Sequence, residues 1–292
     1  MSVFLVLFSG LLFFSSCVNE RNNQKLNFED DKGKLFIIGG GKRPVEMIRS
    51  MVTISGVDTS GYIVILPMSS SNPDTAAYYG VKQFTGIGQK NVFALNFIDS
   101  LDITFERIDS LKKASLIYIS GGDQNRFMEI VNRTPIYDAI HDAYKNGALI
   151  AGTSAGAAVM STKMITGNEY KHPEYTGDFR TIEANNIEIE NGLGLIENAI
   201  IDQHFVWRMR MNRLISACLE NPEETGIGID ESTAILVENN KATVYGKSQV
   251  IVIRHKTAET KIVNGLLGAE DLELNIYLPG DSFHIVKDIN PN

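Results

Sequence analysis

From residue 34 onward the chain repeats one unit: a short, continuously apolar run closed by glycine or other small residues, then a stretch of helical periodicity. The apolar runs are KLFIIGGG (34–41), YIVILPMSS (62–70), NVFALNF (91–97), SLIYISGGDQ (115–124) and ALIAGTSAGA (148–157). Between them lie PVEMIRSMVTIS, with Pro44 suited to a helix start, then NPDTAAYYGVKQFTGIG, and a stretch over 126–147 that divides into two helical pieces at Pro135. Strands that are apolar on both faces must be covered on both faces, so the pattern predicts an α/β fold built on a parallel sheet flanked by helices. Ligand sites in such sheets gather at the carboxyl ends of the strands. Those ends carry Gly39-Gly40-Gly41, Gly121-Gly122-Asp123-Gln124 and Ser154.

The rest of the chain reads differently. Residues 168–192 are polar and irregular, and NAIIDQHF (198–205) reads as a further strand leading into a helix, VWRMRMNRLISACLE. After Pro222 short alternating strands take over, with a turn at Glu238–Lys241, the pattern of an antiparallel meander at the sheet edge. Residues 34–292, without internal repeat, read as one domain.

Gly152-Thr153-Ser154-Ala155-Gly156 fits the G-x-S-x-G pattern, with a predicted strand before it and an alanine-rich helix after it. A sharp strand-to-helix turn brings backbones too close for side chains at the glycine positions and lifts the serine into an exposed, strained conformation. The stretch is therefore a tight structural turn or the mount of a nucleophile. A nucleophilic serine needs a base within hydrogen-bond reach and donors for the oxyanion. Of the five histidines, His204 is the best placed, at the carboxyl end of a predicted strand and on the same sheet edge as Ser154. His141 lies in a helical pattern, His172 in the polar stretch, and His255 and His284 in the C-terminal meander. The backbone amides of Gly122 and Ala155 are candidates for the oxyanion hole.

SGGDQ, AGTSAGAAVMS and DQHFVWRMRMNRL, in this order and spacing, resemble the cyanophycinase branch of the dipeptidase E family of serine peptidases. The likeness runs from about residue 34 to GIGIDESTAILV near 237. It implies a flavodoxin-like fold related to class I glutamine amidotransferases, with Ser154 as nucleophile and His204 as base. It also implies a third, acidic member about 15 positions after the serine, which falls on Glu169, with Asp178 and Glu183 as alternatives. The family's pocket residues map onto Gln124, Asp202, Gln203, Arg208, Arg210 and Arg213. The implied activity is a serine exopeptidase acting on β-aspartyl-arginine material such as cyanophycin. An aspartyl dipeptidase or another isopeptide hydrolase is the alternative within the fold, and a non-catalytic surface binding protein the alternative outside it. An arginine fork suits a carboxylate, and an aspartate can hold a guanidinium. On a regular helix, however, Arg208 points about 200° away from Arg210, so the three arginines would not all enter one pocket.

No cofactor or metal is expected: there is no H-x-x-x-H pattern, and GGGKRP (39–44) lacks the spacing of a phosphate-binding loop and reads as a turn. The net charge of −8 argues against nucleic acid as a partner. With two cysteines the chain has no disulfide framework; Cys218 lies in an amphipathic pattern and reads as a small core residue. The first 17 residues hold an apolar run of about a dozen, too short to span a bilayer comfortably, and read as an export signal. Ser15-Ser16-Cys17 resembles a lipoprotein cleavage site, although Phe14 replaces the usual Leu and no basic residue precedes the run. The expectation is an exported protein, periplasmic or lipid-anchored at Cys17, with 18–33 as a polar tether. A homodimer is compatible with the sequence but not indicated by it.

Overall fold

The computed structural model describes Met1 and residues 33–174 and 176–285. The expected signal, Cys17 and nearly all of the tether lie outside the described residues. The chain alternates as the apolar runs dictate: β1 (Lys34–Ile38), α1 (Val45–Ser55), β2 (Ile63–Leu66), α2 (Pro73–Thr85), β3 (Val92–Ala94), α3 (Phe105–Lys112), β4 (Leu116–Ile119), α4 (Gln124–Val131), α5 (Pro135–Lys145) and β5 (Leu149–Thr153). Helix starts are fixed locally. Asp123 accepts from the Asn125 amide at 2.8 Å to cap α4, and Thr134 caps α5 with Pro135 in its first turn.

These five strands pair in parallel in the order β1-β5-β4-β2-β3. Alternate side chains of β1 enter two cores. Phe36 and Ile38 pack with Met47, Met51 and Val52 of α1, while Leu35 and Ile37 face the side that holds α4 and α5. Each such side chain, fully buried, contributes about 1.5–3 kcal/mol relative to exposure.

Beyond β5 come α6 (Ala155–Ala158), β6 (Lys163–Glu169), β7 (Ile187–Asn191), β8 (Ala199–Gln203), α7 (Met211–Glu220), β9 (Thr225–Ile229), β10 (Thr233–Glu238), β11 (Lys241–Gly246) and β12 (Val250–His255), then β13 (Thr260–Val263), β14 (Leu266–Ala269), β15 (Leu272–Tyr277) and β16 (Ser282–His284). The fold is the expected α/β arrangement with antiparallel additions, but the meander is shared between two sheets. The hairpin β10–β11 and β16 extend the parallel sheet beyond β1 into an eight-stranded sheet. Its turn falls at Glu238–Lys241, where Asn239 and Asn240 both take positive φ. β8, β9, β12 and β15 instead form a second, four-stranded sheet. Its inner face (Ile201, Ile227, Ile229, Val250 and Val252) joins the core on the α4–α5 side of the main sheet. Its outer face, with Ile200, Ile251 and Ile253, packs on Leu214, Ala217 and Cys218 of α7. Cys218 is thus the core residue expected, and burial pushes its thiol up to about 12.

Three expectations need correction. His204 does not end a strand of the Ser154 sheet, because β8 pairs with β9 and belongs to the second sheet. The stretch 168–192 is not irregular throughout: β7, an Ile-Glu alternation, pairs with β6. The helix after His204 begins only at Met211, since Met209 takes φ 51 and residues 206–210 are turns.

Candidate active site

At the end of β5 the backbone reverses at Ser154 (φ 54, ψ −113) and enters α6. The Ser154 amide donates to the Ile38 carbonyl of β1 at 3.0 Å, and the Ser154 carbonyl accepts the Ala157 amide at 2.9 Å. The two glycines of the pattern are required by contact. A methyl at Gly152 would lie 2.1 Å from the Gly156 carbonyl oxygen, and one at Gly156 would lie 2.4 Å from the Ile119 carbonyl oxygen. Positive φ at a serine is a strained conformation that persists only where the surroundings impose it.

His204 reaches this serine from the second sheet. It follows β8 with φ 51, and its amide donates to the Gly39 carbonyl at 2.7 Å, tying the end of the second sheet to the end of β1. The His204 Nε2 lies 2.8 Å from Ser154 Oγ, and its Nδ1 lies 2.6 Å from Glu231 Oε1. Burial holds the His204 imidazole below its ordinary range; the Glu231 hydrogen bond pushes the other way, and the charges of Arg208 and Arg210 add to the lowering. The ring is therefore neutral near pH 7, with a lone pair for the serine proton, once Nδ1–H donates to Glu231.

The acid beside the histidine is not the one expected. Glu169, at the end of β6, accepts from Asn186 Nδ2 at 2.7 Å. Of its alternatives, Glu183 pairs with His172 at 2.8 Å and Asp178 with Arg180 at 3.0 Å. Glu231 takes the place because the turn from β9 into β10 crosses from the second sheet to the main sheet beside His204. A histidine's partner is fixed by where the imidazole sits, not by its chain distance from the serine. The signal was present in GIGIDESTAILV, where Asp230 and Glu231 interrupt two buried strands. Asp230 is also used: its carboxylate accepts the Trp207 amide at 2.8 Å and the Ser248 hydroxyl at 2.6 Å, fixing the loop that follows His204.

Gly122 lines the same cavity as Ser154; it takes φ +146, and a methyl there would stand 2.1 Å from the Ser69 carbonyl oxygen. The Ala155 amide is in the first turn of α6, where no helical carbonyl is in reach. Beside Ser154 opens a cavity of about 280 Å³, lined among others by Gly122, Gln124, Gln203, Arg208, Arg210 and Arg213. All three arginines line it, because residues 208–210 precede the regular helix and the 100° rule does not apply to them. They differ in how they are held. Arg213 is buried, stacks on Phe179 with its guanidinium carbon 4.5 Å from the ring centre, and grips Asp202 through Nε at 2.9 Å and also through Nη2. Arg210 is buried and donates to the Gln203 backbone and side-chain oxygens at 2.8 and 2.7 Å. Arg208 is exposed at the rim. Gln124 donates through Nε2 to the Ile165 carbonyl at 3.0 Å, fastening α4 to β6. Asp202, fully buried, serves Arg213 and does not itself line the cavity.

The other histidines stand apart. His141 on α5 contacts the Leu193 carbonyl at 2.8 Å and lies tilted against Tyr137, ring centres 4.5 Å apart, His255 is buried in β12, and His284 is on β16.

Comparison with known proteins gives the family. Residues 35–245 match the model of peptidase family S51. A cyanophycinase of Nostoc sp. is 33% identical over 267 residues, covering 88% of this chain and 87% of that protein. A peptidase E of Actinobacillus pleuropneumoniae is 26% identical over 165 residues, covering 53% of this chain and 65% of the other. The crystal structure of a peptidase from an acI-B1 actinobacterium superposes with a TM-score of 0.66 at 22% identity, over 86% of this chain and 96% of that one, and so shares the fold. The chain belongs to peptidase family S51, in the branch of the cyanophycinases and dipeptidase E, and is a serine-type peptidase.

Proposed function

We propose that the protein is an exopeptidase that hydrolyses β-aspartyl-arginine peptides of the cyanophycin type through an acyl-enzyme. The hydrogen-bonded chain Ser154–His204–Glu231 beside an arginine-lined cavity carries this reading. His204 takes the Ser154 proton as Oγ attacks the substrate carbonyl, and Glu231 stabilises the imidazolium that forms. The Gly122 and Ala155 amides receive the oxyanion; losing one such donor typically costs about 2.7–4 kcal/mol of transition-state stabilisation. His204 then returns the proton to the leaving amine, and water releases the acyl group by the same steps in reverse roles. The guanidiniums of Arg208, Arg210 and Arg213 outnumber the Asp202 and Asp123 carboxylates, so the cavity favours an anionic group, such as the free carboxylate of the terminal unit. Relatives named cyanophycinase, at 33% identity over most of the chain, support the same substrate class.

The test is release of β-Asp-Arg from purified cyanophycin by the full chain, beside Ser154→Ala and beside Asp-X dipeptides. Release by the wild type alone supports the reading. Turnover of Asp-X dipeptides without cyanophycin makes the enzyme an aspartyl dipeptidase. Tight retention of the polymer without any turnover makes it a binding protein. The reading includes export by the first 17 residues with lipidation at Cys17, checked by the mass of the mature N-terminus. An exported enzyme of this kind meets a storage polymer only after other cells release it.

A further inference from the structure

The segment Gly39-Gly40-Gly41-Lys42-Arg43, which reads from the sequence as a turn, passes directly against the two side chains that activate Ser154. Gly39 is bonded on both sides: its amide donates to the Thr233 carbonyl at 2.9 Å, and its carbonyl accepts the His204 amide at 2.7 Å. The Gly40 carbonyl accepts the Ser232 amide, next to Glu231, at 2.9 Å. Gly40 has φ +111, and a methyl there would stand 2.3 Å from His204 Cε1, 2.5 Å from Nε2 and 2.8 Å from Nδ1. A methyl on Gly41, at φ +68, would stand 2.7 Å from Glu231 Oε2. Bare backbone is thus the wall against which the imidazole and its carboxylate lie. Arg43 holds that wall from behind. Its Nη1 donates to the Gly41 carbonyl at 2.9 Å and its Nε to Gln83 Oε1, on α2, at 3.0 Å.

We infer that the loop over residues 39–43 is the positioning element of the His204–Glu231 pair, with Gly40 and Gly41 setting the imidazole's place and Arg43 anchoring the loop to α2. None of the five residues lines the cavity, so they act through His204 and not on substrate. The device is needed because His204 hangs from a different sheet than Ser154, and no shared ladder sets the distance between them. A misplacement of about 1 Å in such a contact costs on the order of a hundredfold in rate.

This inference rests on the Ser154–His204 reading, and one assay separates the two. A fluorophosphonate probe is reacted with the full chain, and labelling is followed at Ser154. Absence of labelling in the wild type overturns the catalytic reading and this inference with it. With the wild type labelled, Gly40→Ala is expected to slow labelling about a hundredfold and Arg43→Ala about tenfold. Arg43→Lys, which keeps a donor for the Gly41 carbonyl, should recover part of the loss. With a turned-over peptide, kcat falls while KM stays within about twofold, because the cavity is untouched. The acid limb of the pH–rate profile moves to lower pH, since a looser Glu231 contact stabilises the imidazolium less. A merely structural loop would lower the melting temperature without moving that limb. Should Gly40→Ala fail to fold, Arg43→Ala and Gln83→Ala carry the test. Labelling and kcat within about twofold of wild type in the folded variants, or an effect on KM alone, overturn the inference.

Discussion

Ser154 leaves a strand paired on both sides, since β5 lies between β1 and β4 in the eight-stranded sheet, whereas His204 leaves β8, which closes the four-stranded sheet and, among the described residues, pairs with β9 alone. The serine is placed by regular ladders and by the contacts of Gly152 and Gly156. The histidine is placed by non-repeating contacts: the Gly39 carbonyl, the bare backbone of Gly40 and the carboxylate of Glu231. Substitutions at Gly152 or Gly156, which place the serine, should therefore be felt in folding as well as in rate, and those in the contacts that place the histidine chiefly in rate.

The largest effect expected is that of Ser154→Ala, which should lower kcat about a millionfold while leaving the melting temperature close to wild type. Retained turnover would remove the serine from the comparison altogether. Glu231→Gln comes next, with about a ten-thousandfold fall in kcat, because an amide no longer enforces the tautomer that presents a lone pair to the serine. Glu169→Gln, assayed beside it, should stay within about twofold. A reversal of that order would return the acid to the polar stretch. Asp202→Ala should appear mainly in stability. It leaves the buried Arg213 guanidinium without its carboxylate, a loss of about 3–5 kcal/mol read by urea denaturation.

The pH dependence gives the smallest and sharpest effect. The His204 imidazole is held below its ordinary value near 6.5, and activity needs it neutral, so the acid limb of kcat/KM should have its midpoint below about 6.5. The same sign governs stability. As pH falls from the ordinary value toward the depressed one, the unfolded chain takes up the proton first, and this group's contribution to stability is lost across that window. A limb at or above the ordinary value would mean that the Glu231 bond outweighs burial.

The serine side was legible because its determinants are local. Continuous apolar runs dictate the parallel strands, and small residues at fixed offsets dictate the turn at Ser154. His204 was legible as a residue but not as a place: nothing in AIIDQHF says which sheet the strand joins. Glu231 was missed as the partner of His204 because the partner of a histidine is set by tertiary crossing, here the passage from β9 to β10. β7 was missed because its Ile-Glu alternation is short and flanked by asparagines, and α3, eight residues long, left no signal stronger than Thr104 at its start. The arginine geometry failed at the positive φ of Met209, which delays the helix until Met211 and lets all three arginines reach one cavity.

Residing on two sheets gives the hydrogen-bonded pair Ser154 and His204 a place in time as well as in space. The parallel strands β1 to β5 are complete by Thr153, whereas the contact between Ser154 and His204 joins residues 50 apart in the chain and Glu231 lies 27 further on. Contacts of this kind form late, after the loops between them have been closed. During refolding, ellipticity should therefore return before hydrolysis does. On warming, the edge strand β8, with one neighbour, should open before the central ladder, so that inactivation precedes melting. Turnover is therefore expected to report the docking of the second sheet.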